Sequence, residues 1–114
     1  MKAVAVLALA GAAFVAAPAT AAAPKPRTVK INDNYYLPAK LTIKPDTKVV
    51  WRWPAEAGDV HDVKLSSAPK GVRKFHSEPA SAGYSFKRTL VKPGRYRIVC
   101  TLHEEMTMTI TVRR

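Results

Sequence analysis

The stretch Cys100–Met108, CTLHEEMTM, holds the single cysteine of the chain, a histidine three residues later, and two methionines within five residues of that histidine. A thiolate, an imidazole and a thioether on one short loop form a soft ligand set. A second imidazole would complete a trigonal His₂Cys site with a weak axial methionine, an arrangement that suits copper. His61 is the candidate, at the start of VHDVKL and just after the turn PAEAGD. One ligand then comes from an upstream strand and three from one downstream loop. Thiolate sulfur and two imidazoles serve both oxidation states of copper. A weak thioether does not pull the metal into the square geometry that the cupric state prefers, so the site reorganises little when an electron moves.

Other chemistries fit these residues less well. A free cysteine is most often a buried, inert thiol, but here His103, Met106 and His61 accompany it. Zinc takes Cys and His, yet Met is a poor zinc ligand and structural zinc sites favour more thiolates. A Cys–His nucleophile needs its base within hydrogen-bond reach and an oxyanion site. No Gly-rich turn accompanies Cys100, and a metal-bound sulfur cannot attack, so no enzymatic activity is expected. Met108, Trp51 and Trp53 read as core, and His76, in KFHSEP, as a surface or loop histidine.

The ligand loop must hang from strands. TVKI, KLTIK, KVVWRW, VHDVKL, GYSFKRTL, GRYRIVC and MTMTITVR alternate with period two and are rich in β-branched and aromatic residues. The alternation puts His61, Val63 and Leu65 on one face and Val60, Asp62 and Lys64 on the other. It groups Tyr84, Phe86 and Arg88, faces Tyr96, Ile98 and Cys100 inward, and sets Met106, Met108, Ile110 and Val112 against threonines. Breakers separate these runs: Pro38, Pro45-Asp46, Pro54, Gly58, Pro69 to Gly71, Pro79 and Pro93-Gly94. No window reads as a helix, and residues 66–82 read as a loop or an edge strand. The expectation is an all-β domain of about seven or eight short strands, a sandwich or small barrel.

The 114 residues suit one domain. Met1 and Lys2, an apolar run over 3–17 and the small residues APATAAA have the form of a secretion signal over residues 1–23, cut at about 19–23. The run is shorter than the roughly 20 residues that span a bilayer, so no stable membrane span is expected once it is removed. Residues 24–27 form a Pro-rich basic linker and 28–114 the domain. Export places the protein in the periplasm or at the cell exterior, where cysteines usually pair; a single one cannot form an internal disulfide. The formal charge is +11, and loss of Lys2 leaves about +10. Such a charge favours acidic partners. The cations are dispersed, with no basic helix, aromatic-interleaved RNA motif or zinc-finger spacing, so nucleic acid is not expected as a partner.

The chain resembles the cupredoxins, the small blue copper proteins, and within them the plastocyanin, amicyanin and pseudoazurin group. The likeness rests on Cys-x-x-His-x-x-Met followed by an alternating strand, CTLHEEMTMTITV, preceded by PGRYRIVC. Further upstream, KVVWRW leads to VHDV, and YYLPAKLTIKPDTKV is similar to the first half of the family. It covers roughly residues 28–113. The resemblance implies a Greek-key sandwich and one type 1 copper ion, with His61, Cys100 and His103 as equatorial ligands and Met106 as the axial one. The family has an Asn after its first His that ties the two ligand loops together. Asp62 stands at that position, with Thr101 as its expected hydrogen-bond partner. Relatives dock through an apolar patch around the exposed His, where this chain carries Glu104 and Glu105. The implied function is one-electron transfer by a monomer between a redox-protein donor and acceptor. The alternative is copper binding and delivery without a carrier role. Multicopper oxidases and copper nitrite reductases share the fold but are much larger.

Overall fold

Strand alternation is realised in the computed structural model, which describes residues 22–114. Eight strands form: β1 (Arg27–Asn32), β2 (Tyr35–Leu37), β3 (Lys40–Ile43), β4 (Thr47–Arg52), β5 (Lys64–Ser67), β6 (Ser85–Leu90), β7 (Gly94–Val99) and β8 (Thr107–Val112). They make two four-stranded sheets, ordered β2-β1-β4-β6 and β3-β8-β7-β5. β1 pairs β4 in parallel and β3 pairs β8 in parallel; the other ladders are antiparallel. The all-β sandwich expected from the period-two pattern is present, and there is no helix among the described residues. The secretion signal expected over residues 1–23 lies outside the described residues, apart from Ala22 and Ala23.

The inward faces build one core between the sheets. β1 contributes Val29 and Ile31, β4 Val49 and Trp51, β7 Tyr96 and Ile98, and β8 Met108, Ile110 and Val112. Each fully buried side chain of this size contributes about 1.5–3 kcal/mol relative to exposure. Trp51 lies at the centre, its rings 5.9 Å from Phe75 and 6.0 Å from Phe86. Its indole Nε1–H donates to the sulfur of Met108 at 3.4 Å.

Three details differ from the alternation read in the sequence, and the irregular stretch is a loop as one of its two readings had it. β2 is an added strand whose three residues are too few to show a period, and only Tyr36 is buried. The run from Val60 to Leu65 is not one strand. The ladder starts at Lys64, and His61 makes an isolated bridge to Ala80. Freed from the pleat, both His61 and Asp62 turn inward, so Asp62 does not share the exposed face of Val60. In β6 Phe86 and Leu90 are buried, whereas Arg88 stays outside with its guanidinium 4.2 Å from the centre of the Phe86 ring. Residues 68–84 form no strand, but His76 and Ala80 bridge back to Lys64 and His61.

This connectivity brings the ends of β4 and β7 and the start of β8 to one end of the sandwich. Because β1 runs parallel to β4, the β1–β2 turn carrying Asp33 arrives at the same end. Tyr36 in β2 reaches across and donates its hydroxyl hydrogen to the carbonyl of Asp62 at 2.6 Å. No helix among the described residues is long and apolar enough to cross a membrane.

Candidate metal centre

Cys100 leaves the end of β7 and Met106 leads into β8, so seven residues must reverse the chain. Two turns close the loop. The Cys100 amide donates to the Met106 carbonyl at 2.9 Å, and the Met106 amide donates to the His103 carbonyl at 3.0 Å. The reversal folds His103 back over the cysteine, with Nδ1 3.5 Å from Sγ. His61 arrives from the β4–β5 connection, and its ring centre lies 4.9 Å from that of His103. The ligand atoms of His61, Cys100 and His103 all lie within 4.8 Å of one another.

His61 is 1% exposed. Its Nε2 sits 2.7 Å from Oδ1 of Asp33. A carboxylate only accepts, so Nε2 carries the hydrogen and Nδ1 presents a lone pair. That Nδ1 is buried and has no hydrogen-bond partner. Buried polar atoms without partners are uncommon and costly, and this one belongs to a residue of the cluster formed with Cys100 and His103. A cation held there would satisfy it. The Cys100 thiol is pushed up by burial, and a bound cation deprotonates such a thiol outright. Thiolate and two imidazoles form a donor set that fits copper.

The surroundings brace each imidazole. Asp33 accepts from His61 and also from the amide of Asp59 at 3.1 Å, and the His61 bond above all holds its carboxyl below the usual range. Gly58 makes room for it: a Cβ there would stand 2.6 Å from Oδ2 of Asp33. On the second imidazole, Nε2 of His103 lies 3.9 Å from Oδ2 of Asp59, and His103 is 26% exposed. Trp53 ties His61 to the neighbouring loop, its Nε1–H shared between the carbonyls of Ala80 at 2.8 Å and His61 at 3.3 Å.

Asp62 is 3% exposed and links the two ligand loops. Its Oδ1 accepts from the amide of Thr101 at 2.7 Å. Its Oδ2 accepts from the hydroxyl of Thr101 and lies 2.8 Å from Nε2 of His76. Burial pushes this carboxyl up, but the bonds from His76 and Thr101 outweigh it, and the group stays below its ordinary value. His76 is 49% exposed, yet it closes the far side of this cluster. Neither Asp33 nor His76 stands out in the sequence. Each lies 28 or 14 positions from its partner, and only the strand pairing brings them in.

Met106 is fully buried where the loop enters β8. Met108 is also buried, but its sulfur already accepts the Trp51 indole hydrogen. Glu104 and Glu105 are exposed on the loop beside His103.

Comparison with known proteins agrees with this architecture. The sequence profile of the cupredoxin-like domain matches residues 5–112. No curated protein sequence matches the chain. Among solved structures, a copper-containing nitrite reductase from Thermus scotoductus SA-01 superposes with a TM-score of 0.66 at 28% identity, over 88% of this chain. This chain spans 25% of that enzyme's length. A pseudoazurin from Sinorhizobium meliltoi superposes with a TM-score of 0.66 at 21% identity, covering 80% of this chain and 76% of the other. The Cu(I) form of an amicyanin point mutant gives 0.67 at 23% identity, covering 81% and 86%. The eight-stranded sandwich, the converging His61, Cys100 and His103, and the profile match over nearly the whole length lead to one assignment: the chain belongs to the cupredoxin-like domain family.

Proposed function

We propose that the protein holds one type 1 copper ion and carries single electrons between redox proteins outside the cytoplasm. The observation that carries this reading is the convergence of His61, Cys100 and His103, whose ligand atoms all lie within 4.8 Å of one another, together with a buried Nδ1 on His61 that has no hydrogen-bond partner. His61, Cys100 and His103 would be the equatorial ligands. Met106 would be the axial one, a choice supported by its burial at the loop's end and by the engagement of Met108 with Trp51. The bound ion would supply a centre that gains and loses one electron.

The chain's own residues do the rest. Asp33 holds the His61 tautomer and aims Nδ1 inward. Asp62 pins Thr101, and so the backbone after Cys100, to the residue after His61. Ligands fixed in this way move little when the charge of the centre changes, which favours fast transfer. His103 is the ligand with an edge toward solvent and would be the electron port. The largely buried ligand set favours a carrier that retains its copper over a protein that delivers it. The likeness to amicyanin and pseudoazurin, covered over 86% and 76% of their lengths, supports a carrier rather than an enzyme.

The signal-like residues 1–23 support export to the periplasm or beyond, with the domain acting as a monomer. Charge acts on partners at two ranges. A total of about +10 after loss of Lys2 from +11 draws acidic redox proteins from a distance. At contact, Asp59, Glu104 and Glu105 beside His103 ask for a cationic patch on the partner's docking face. The direct test adds Cu(II) to the purified protein. An intense thiolate charge-transfer colour that bleaches with reductant and returns with oxidant is the expected result. A colourless protein, or one that loses its copper on each cycle, would end the carrier reading.

A further inference from the structure

The charges of this protein are sorted by location. None of its eight Asp and Glu residues lies in a strand. Asp33, Glu56, Asp59, Asp62, Glu78, Glu104 and Glu105 lie in loops at the metal end, and only Asp46 lies at the other. The strands carry cations alone, among them Lys30, Lys48, Lys64, Lys87, Arg95 and Arg97. Among the described residues, every carboxylate–cation pair uses a histidine, and no lysine or arginine joins one. The positive charge is therefore not consumed within the fold.

Five of the cations meet in one place. At the end of β3 and β8, where β1 and β4 begin, a groove of about 500 Å³ is lined by Lys25, Arg27, Lys44, Arg113 and Arg114, with Thr42 on its wall. No Asp or Glu side chain lines it. β8 spans the sandwich from the metal loop to this groove, so the two ends are about 20 Å apart at roughly 3.3 Å per residue. β3 and β8 run in parallel here, which splays Lys44 and Arg113 from neighbouring chain ends, and the Arg113 amide is held by the Ile43 carbonyl at 3.0 Å. Five like charges around one concavity repel one another unless an anion is shared between them. Three are guanidinium groups, whose planar fork matches the oxygens of a phosphate in pairs.

We propose that this groove binds a phosphate-bearing anion and is a second ligand site of the protein. The concavity accommodates one phosphate-bearing head group, whereas an acidic protein would need a broad complementary face of roughly 800 Å². Bound to an anionic surface through this groove, the protein presents its carboxylate-rich metal end outward, because that end is repelled by the same surface. The site does not depend on the metal reading: the groove would bind its anion with or without copper.

The test uses the full chain and two probes, phosphatidylcholine vesicles with and without about one third phosphatidylglycerol, and soluble pyrophosphate. Binding is followed by vesicle sedimentation and by calorimetry. Lys44→Glu/Arg113→Glu/Arg114→Glu alters the groove, and Lys30→Glu/Lys64→Glu/Lys87→Glu makes the same charge change on the strand faces. Residues 1–21 are common to all variants and cancel in the comparison. The expected result is a loss of roughly a hundredfold in the groove variant, at about a factor of five for each of three basic residues near an anionic surface, with a smaller loss in the strand-face variant. Binding to vesicles alone assigns the phosphate to a lipid head group, and binding to pyrophosphate as well extends it to free phosphates. Arg113→Gln/Arg114→Gln repeats the test with less charge disturbance, and circular dichroism checks that each variant folds. Equal losses in the groove and strand-face variants, or no binding of either probe, would overturn the proposal.

Discussion

Oδ1 of Asp33 lies 2.7 Å from Nε2 of His61, joining the first β-turn to an upstream metal-ligand candidate 28 residues away. The bond leaves the opposite ring nitrogen, Nδ1, buried and free for a cation. Carboxylate partners of ligating histidines commonly change metal affinity by 10–100-fold when lost. Asp33→Ala is therefore expected to weaken copper binding by about 10–100-fold and to raise the reduction potential, since an anion beside the centre favours the higher charge. Asp33→Asn keeps an acceptor and should lose less affinity. Gly58→Ala should behave as a milder Asp33→Ala, because its Cβ would stand 2.6 Å from the carboxylate and push it off His61. Competitive copper titration and voltammetry measure both effects. Affinity and potential unchanged in Asp33→Ala would show that this carboxylate does not act on the site.

The two methionines of the ligand loop and β8 are expected to separate cleanly. Met106→Gln should shift the thiolate colour and lower the potential while copper stays bound. Met108→Leu should leave the spectrum unchanged but destabilise the fold. That substitution is close in volume, yet it removes the acceptor of the Trp51 indole hydrogen at 3.4 Å. A buried donor left unsatisfied costs about 1–3 kcal/mol. Denaturant unfolding of the copper-free protein reads the stability and visible absorption reads the site. The reverse pattern, with Met108→Leu shifting the colour, would exchange the two roles.

Acid should destabilise the protein in part through Asp62. Its folded value is held below the ordinary one by His76 and Thr101 against the opposing effect of burial. A depressed carboxylate contributes stability above its unfolded value of about 3.9, and that contribution is lost as pH falls through the folded value. Asp62→Asn should be less stable than the parent near neutrality. The gap should narrow as pH falls below about 4. Urea unfolding of both proteins from neutral to acid pH tests this. A constant gap would mean that Asp62 acts through shape alone.

Salt should slow association with an acidic redox protein, because surface attraction is screened beyond about 10 Å at 0.1 M. Glu104→Gln/Glu105→Gln removes two carboxylates beside His103 and should raise the rate with that partner. With a partner whose docking face is cationic, the same variant should lower it. Stopped-flow electron transfer at several ionic strengths separates the cases. Rates indifferent to salt and to both substitutions would place docking away from His103.

The sequence alone determined what local geometry can enforce. Cys100, His103 and Met106 occupy seven consecutive positions between two alternating runs, and a reversal that short must gather them. Period-two alternation likewise marked the inward residues of β7 and β8, because a side chain on a strand has only two directions to take. His61 could be named because a fourth ligand was needed and its position matched a family pattern. The tertiary structure decided the rest. The Asp33 contact depends on β1 lying parallel to β4, which carries the β1–β2 turn to the metal end. His76 reaches Asp62 through an irregular segment with no period to read. The Trp51–Met108 contact spans 57 positions and is set by the facing of two sheets. Even the inward turn of Asp62 ran against its strand parity, because the ladder begins only at Lys64 and the backbone before it is free to bury consecutive residues. Contacts between distant segments depend on register and sheet order, and neither is written in the residues that eventually touch.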